Sequence, residues 1–584
     1  MKPYSILAVA ALTVSACATP EPTIEGLWLG ELKSDAGTPV AIELSVLDDE
    51  VIVTQGEGVL SDGTLSITYD AGALFFGSFE EAGRSIRGFY IQPSNDIGGQ
   101  QLAHPADLSL QPDGTWRGEA RPLARQLSVF MDISQEPDGA FTATLLNPER
   151  NITGPTRQYD LVPQAEEMTY SLQIPNEGTA FTSANIDLED GSIRMDFGPL
   201  QDFELSLIGD RDPRSVAFFD RTFESNDRKP VPNSDWPVGT LEEAGFSTGE
   251  VASLIKDLGS VNGQSERPHL VHSLLIARNG SLIVEEYFRG HDAQTPHDMR
   301  SAGKTFASVL VGALIQEGRS LSSDTPITRF ISVPNEPKDM PVTVGHLLTH
   351  QSGFDCYDGD GSSSGNENSM WEQNEAPNFW EFIADLDFVA KPGNRYAYCS
   401  GGINLVGAAL KGTTGESVLS LLQTRLFEPL GFENAYWNVM PNGEAYLGGG
   451  AQLRTRDLLK IGQVYLDGGK WRGKQLIDAD WVKSSITPKA EITPGTTGLD
   501  ESSFSQFYFG GTDGYAWHLH SITVGSNTYE SFEASGNGGQ LVVVVPELDL
   551  VVGMTGGNYG QGYIWGKWRQ EIIGNRIITA IVAP

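Results

Sequence analysis

Positive charge is what this chain of 584 residues is short of: 39 Lys and Arg stand against 76 Asp and Glu, a formal net charge of −37. A nucleic-acid backbone is gripped by clustered basic side chains, so nucleic acid is excluded as a partner and the surface reads as an acidic, soluble shell. Cysteine is scarcer still, with Cys17, Cys356 and Cys399 allowing at most one disulfide within the chain. The apolar stretch from Ile6 to Val14 is too short to span a bilayer as a mature helix. Helical periodicity is hard to find over the first third of the chain, from about Ile24 to Phe223. The length itself exceeds what one hydrophobic core covers, and roughly two to four domains are expected.

At the N-terminus, Lys2, the apolar stretch and a small-residue region make a secretory signal over 1–17. Its end, Val14-Ser15-Ala16-Cys17, resembles a bacterial lipobox, in which acyl chains are attached to the Cys and cleavage precedes it; the alternative is an ordinary signal with an incidental Cys. Ala18 rather than Asp after the Cys resembles outer-membrane lipoproteins. The expected location is therefore the bacterial cell envelope, anchored through lipid on Cys17 to the outer membrane and facing the periplasm. Cys356 and Cys399 then remain in a compartment that permits disulfides, and they are expected to pair.

Residues 24–225 read as a β-rich region, barrel- or sandwich-like: Val40, Ile42, Leu44 and Val46 alternate with Ala41, Glu43 and Ser45. Gly26-Leu27-Trp28-Leu29-Gly30-Glu31 is echoed by Gly114-Thr115-Trp116-Arg117-Gly118-Glu119, which suggests two related β units. A linker is expected over 226–239, where Pro and polar residues break every apolar period. The remainder, 240–584, begins with a helix capped by Ser247 and running through Leu258. Leu274–Arg278 and Ser281–Val284 flank Asn279-Gly280, a hairpin turn that tolerates positive φ. Leu541–Val545 and Leu550–Met554 form a late strand pair, and a helical tail follows from Trp565 to Val582. An antiparallel sheet built from both ends of this domain and packed by helices accounts for the order.

Chemistry concentrates where Met299-Arg300-Ser301-Ala302-Gly303-Lys304 leads into Phe306, Val309, Leu310, Ala313 and Leu314, apolar positions at helical spacing that stop near Gly318. Ser301 falls at the helix start, and Lys304, three residues on, shares its face. A helix N-terminus favours a developing alkoxide, and burial is expected to push the lysine pKa down toward that of a usable base.

This stretch, with Val342-Thr343-Val344-Gly345-His346-Leu347-Leu348-Thr349-His350, resembles the serine β-lactamase and penicillin-binding-protein-like superfamily, in its class C β-lactamase-related branch. The resemblance runs from Leu274 to Gly557 and implies a C-terminal α/β domain of the β-lactamase/transpeptidase-like fold. It further implies Ser301 as acylated nucleophile and Lys304 as base. Pro392-Gly393-Asn394-Arg395-Tyr396-Ala397-Tyr398-Cys399-Ser400 matches the second motif, giving Tyr398 as proton relay and the Ser400 hydroxyl as a hold on Lys304, with Tyr396 the competing tyrosine. The third motif departs: Ala534-Ser535-Gly536 stands where relatives carry Lys-Thr-Gly or His-x-Gly, so the cation that grips a substrate carboxylate is missing. Ser535 and Gly536 would contact substrate, and the backbone N–H groups of Ser301 and Asn537 would form the oxyanion hole. The mechanism requires no metal and no other cofactor.

Other patterns compete less well. Gly361-Ser362-Ser363-Ser364-Gly365 fits a nucleophile elbow literally but lies in a polar acidic loop without strand or helix beside it, and that loop lacks the ligand spacing of a calcium-binding hand. His346 and His350 are four apart, with Leu347 where a zinc protease needs Glu. His518 and His520 share one side of a strand, so one of them could line the cleft. The reading is a serine hydrolase of small esters or amides, esterase- or amidase-like. A β-lactamase or D,D-peptidase is the rival, and an envelope lipoprotein that binds a cell-wall or lipid ligand without turnover is the alternative of another class.

Overall fold

In the computed structural model the described residues are 24–582, apart from 34–37, 48–49, 62, 81–82, 94–100, 125, 148–156, 167, 198–199, 210, 221–229, 231–235, 373–377, 500 and 502–510. The expected signal sequence, Cys17 and most of the expected linker lie outside them.

Period-two alternation in the first half resolves into two β units, one nested in the other. Among the described residues, eight strands close into an antiparallel barrel: Gly26–Lys33 pairs on one side with Gln126–Gln135 and on the other with Leu200–Ile208. Trp28, Leu127, Val129, Met131, Leu145, Ile193 and Leu205 fill its interior, as side chains do in small barrels. The second unit, running from Val40 to Ala120, occupies the connection between the first and second barrel strands. The two Gly-x-Trp-x-Gly echoes fall one in each unit, with Trp28 and Trp116 buried. Two residues beyond each Trp, on the same strand face, a Cβ on Gly30 would come within 2.3 Å of the Phe203 ring and one on Gly118 within 2.3 Å of the Asp107 carbonyl. The echo marks the same local need, an inward Trp beside a spot with no room for a side chain.

The C-terminal part is organised by an antiparallel sheet of eight strands among the described residues, in the order Ser281–Tyr287, Val271–Arg278, Leu550–Gly556, Gln540–Val545, Asn527–Gly536, His518–Val524, Gly511–Asp513 and Ala490–Ile492. Both ends of the domain supply it. Gln540–Val545 is buried along its whole length because each face is covered. Val542 and Val544 pack toward Leu458 and Leu459 of helix Thr455–Leu466, whereas Leu541 and Val543 pack toward Ile572 and Ile573 of the tail. Asn279 and Gly280 make the hairpin turn at φ +51° and +72°. Ser247 caps helix Thr248–Gly259 by accepting from the Glu250 N–H. The expected single helical tail is instead a short helix, Gly562–Trp565, followed by π-helical winding over Arg569–Ile578.

The last four residues of the expected linker are described and pack into the C-terminal part. Trp236 is buried against Trp471, edge to face at 5.2 Å, and Gly239 hydrogen-bonds to Leu282, so 236–239 belong to the packed domain. Strand Leu102–Pro105 of the nested unit pairs with Tyr436–Asn438, which pairs with Ala451–Leu453, which pairs with His297–Asp298. One sheet therefore runs from the N-terminal region to the residues that enter the Ser301 turn. Among the described residues no helix is long and apolar enough to cross a membrane.

Candidate active site

Ser301 lies in a tight 3-10 turn, Arg300–Lys304, that continues into helix Thr305–Gln316. The helix holds because Phe306, Val309, Leu310 and Leu314 are fully buried, and it ends at Gly318, φ +76°. Arg300 adopts φ +49°, a conformation that non-glycine residues rarely take and that marks a locally strained turn. Asp298 holds it there, accepting from the Arg300 N–H at 3.0 Å and pairing with the guanidinium at 3.1 Å. Strand Asn527–Gly536 runs beside this turn so closely that a Cβ on Gly536 would stand 2.3 Å from the Met299 carbonyl oxygen.

Lys304 Nζ donates to Ser301 Oγ at 3.0 Å and to the Gly448 carbonyl. The Tyr398 ring lies 5.0 Å from the ammonium, and its hydroxyl stands within hydrogen-bonding reach of Ser301 and Lys304. Tyr396, the competing tyrosine, donates instead to Asp513 Oδ2 at 2.8 Å. Two sequence-distant segments thus bring Ser301, Lys304 and Tyr398 together, and a third supplies the Gly448 carbonyl.

Two expectations for this group are corrected. Burial does act to lower the Lys304 pKa, but the Tyr398 oxygen, Glu367 and Asp358 outweigh it, and the pKa is raised. Burial likewise raises Tyr398, against the pull of Lys304. Both shifts favour the protonated forms, ammonium and phenol. The Ser400 hydroxyl does not hold Lys304: it donates to Asp358 Oδ2 at 2.6 Å, and the Ser400 N–H donates to the same oxygen at 2.8 Å. Burial, with Glu367 nearby, lifts Asp358 to about 6. Glu367 in turn accepts from Tyr446 at 2.7 Å.

Asp358, Glu367 and Gly448 went unrecognised in the sequence, and the first two lie in or beside the acidic loop. Cys356 and Cys399 are joined in a disulfide with Cα atoms 5.5 Å apart. That bond sets Asp358, two residues from one sulfur, against Ser400, next to the other, so the cysteine pairing held the signal. Ser363 of the elbow-like sequence donates to Asp355 and accepts from the Tyr357 N–H, which fastens the loop rather than exposing a nucleophile. His346 forms a reciprocal cap with Thr343, and His350 accepts from the Cys399 N–H at 3.1 Å with its ring 4.4 Å from that of Tyr398.

Ser301 opens onto a cavity of about 320 Å³ whose walls include Tyr357, Asp358, Tyr398, Ser535, Gly536 and Asn537. Asn537 is fixed by its Oδ1, which accepts from the Gly560 N–H at 2.8 Å. His518 and His520 both line the cavity, as does Arg569 from the tail. Each cation there has a buried carboxylate. Glu533 takes the Arg569 guanidinium at 2.6 and 2.7 Å, and although burial opposes ionisation this pairing brings Glu533 down to about 2. Asp513 binds His518 Nδ1 at 2.6 Å and, against burial, raises its pKa. His520 is pushed by burial down to about 4 and stays neutral near pH 7. The cations lining the cavity are therefore paired, and they leave no excess of positive charge there.

The Beta-lactamase family model matches residues 262–559, just over half of the chain, and places a β-lactamase-like fold on the C-terminal part. The 6-aminohexanoate-dimer hydrolase of Paenarthrobacter ureafaciens is 26% identical over 225 residues, covering 37% of this chain and 56% of that protein. A protein named β-lactamase from Escherichia coli (strain K12) is 28% identical over 198 residues, covering 33% of this chain and 49% of its own. The chain thus spans about half the length of these curated relatives. The octameric penicillin-binding protein homologue from Pyrococcus abyssi, a solved structure, superposes with TM-score 0.41 at 21% identity, covering 54% of this chain and 75% of that one. The chain belongs to the β-lactamase family, among the serine hydrolases of the β-lactamase and penicillin-binding-protein superfamily.

Proposed function

We propose that this serine hydrolase cleaves an ester or amide that need not carry a carboxylate, through an acyl-enzyme on Ser301. The observation that carries the reading is the 3.0 Å contact of Lys304 Nζ with Ser301 Oγ at the wall of the cavity. In this mechanism, loss of one proton from the Lys304 and Tyr398 pair arms the site. Ser301 Oγ attacks the carbonyl carbon as its proton passes to the pair, and the carbonyl oxygen takes negative charge facing the N–H groups of Ser301 and Asn537. The tetrahedral intermediate collapses, the C–O or C–N bond breaks, and the pair returns the proton to the departing alcohol or amine. Water then repeats the sequence on the acyl-enzyme and releases the acid.

The substrate preference rests on the compensated wall. A β-lactamase or D,D-peptidase grips a substrate carboxylate with a cation, whereas Arg569 and His518 are each engaged by a buried acid. A relative named 6-aminohexanoate-dimer hydrolase supports the reaction class. Lipid on Cys17 would hold the enzyme at the envelope.

The test is turnover of a short-chain p-nitrophenyl ester, a neutral anilide and nitrocefin by the full chain. The expected result is a kcat/KM for the ester or the anilide about 100-fold or more above that for nitrocefin. Nitrocefin turnover equal to or above both contradicts the substrate assignment, and inertness toward all three favours the binding lipoprotein.

A further inference from the structure

Three of the chain's nine histidines meet at one point outside the cavity. His272 comes from strand Val271–Arg278, His291 from the turn after strand Ser281–Tyr287, and His297 from His297–Asp298, which leads directly to Ser301. One ring nitrogen of each lies within 4.8 Å of the others. His272 Nδ1 and His297 Nε2 are 2.9 Å apart, and His291 stacks on His272 with ring centroids 4.2 Å apart. His272 and His297 are buried, and His291 is half-buried.

We propose that His272, His291 and His297 bind a divalent transition-metal ion, best matched by Zn2+, which braces the backbone entering the Ser301 turn. The His297 ring is oriented for it. Its Nδ1 faces the Asp298 carbonyl at 3.2 Å. A carbonyl only accepts, so the proton sits on Nδ1 and the Nε2 lone pair points into the cluster, the arrangement by which a backbone carbonyl orients a metal-binding imidazole. Zn–N bonds of about 2.0–2.1 Å in a tetrahedron put nitrogens roughly 3.3 Å apart. The 2.9 Å contact between His272 and His297 needs to open only slightly. His291, on a half-exposed turn, supplies the remaining movement, and the fourth position is left to water. Three imidazoles without a carboxylate or thiolate select Zn2+ and its transition-metal neighbours over Mg2+ and Ca2+. Arg289 opposes binding by its charge, although its guanidinium donates to the Val271 and Leu258 carbonyls.

The site would position rather than catalyse. The Tyr559 ring stacks on His297 at 6.4 Å and lies beneath the Arg300 guanidinium at 5.3 Å, so metal occupancy reaches the Ser301 turn through packed rings.

The experiment uses the untagged full chain, stripped with a chelator, dialysed against Zn2+ and analysed for bound metal, affinity and Tm. The expected result is one Zn2+ per chain and a Tm that rises with the metal. His291→Gln is expected to weaken affinity about 100-fold and to abolish the rise while leaving the metal-free Tm unchanged. Substoichiometric binding by the wild type, or equal affinity in His291→Gln, overturns the proposal. If His291→Gln lowers the metal-free Tm, Co2+ added to the wild type decides: visible absorption of a tetrahedral, nitrogen-ligated ion supports the site, and its absence overturns it.

Discussion

Lys304 works among charges that decide when it can give up its proton. Burial favours the neutral amine, but Tyr398, Glu367 and Asp358 favour the ammonium and prevail. With Lys304 as the proposed base, a proton held by a raised pKa makes kcat/KM climb with pH toward the alkaline side. Glu367→Gln keeps an acceptor for the Tyr446 hydroxyl and removes a negative charge that raises Lys304. The Lys304 pKa then falls, and the rising limb of the pH–rate profile moves to lower pH, increasing activity at neutral pH; a limb that stays in place or moves up contradicts this account of the lysine. Ser301, Lys304 and Tyr398 were legible because their motifs are local: three residues along a helix, and a tyrosine two residues before a helix N-terminus. Asp358 and Glu367 were not, since an acidic loop reads as solvated surface until a disulfide and a buried serine are seen to draw it inward.

Close packing of strand against turn sets the site's shape. Gly536 sits where Asn527–Gly536 presses on the Ser301 turn, and a Cβ there meets the Met299 carbonyl at 2.3 Å. Gly536→Ala is expected to cost about 1–3 kcal/mol in denaturant unfolding and to lower ester turnover about 100-fold by displacing the turn. Wild-type turnover in that variant contradicts the close approach. The disulfide joins segments 43 residues apart, and removing that cross-link from the unfolded chain's constraints costs about 4 kcal/mol or less. Double replacement, Cys356→Ser with Cys399→Ser, is expected to lower stability by that order and activity as well, because Asp358 loses its fixed place against Ser400. Unfolding midpoints unchanged from wild type speak against it. The hairpin at Asn279-Gly280 and the helix capped by Ser247 were readable because a turn's φ signs and a cap's hydrogen bond are written in adjacent residues. The π-winding of the tail, where Ile572, Ile573 and Ile577 share a core with the sheet, has no signature in the local sequence pattern.

Across the whole molecule, the N-terminal half is joined to the catalytic half by a shared sheet. Alternation along 24–225 announced strands but could not name their partners, so the nesting of one β unit inside another, and the pairing of Leu102–Pro105 with Tyr436–Asn438, had no signature in the sequence. A chain beginning at Trp236 would leave the edge of Tyr436–Asn438 uncovered and is expected to aggregate or lose activity on expression. A soluble, fully active fragment would show that the N-terminal half is dispensable. The central claim, that the chain acts through an acyl-enzyme on Ser301, is tested most directly by intact-mass measurement of the full chain after exposure to a fluorophosphonate, alongside Ser301→Ala and Ser363→Ala. The account predicts a single adduct on the wild type and on Ser363→Ala and none on Ser301→Ala; an adduct that survives Ser301→Ala, or a folded wild type that takes none, contradicts it.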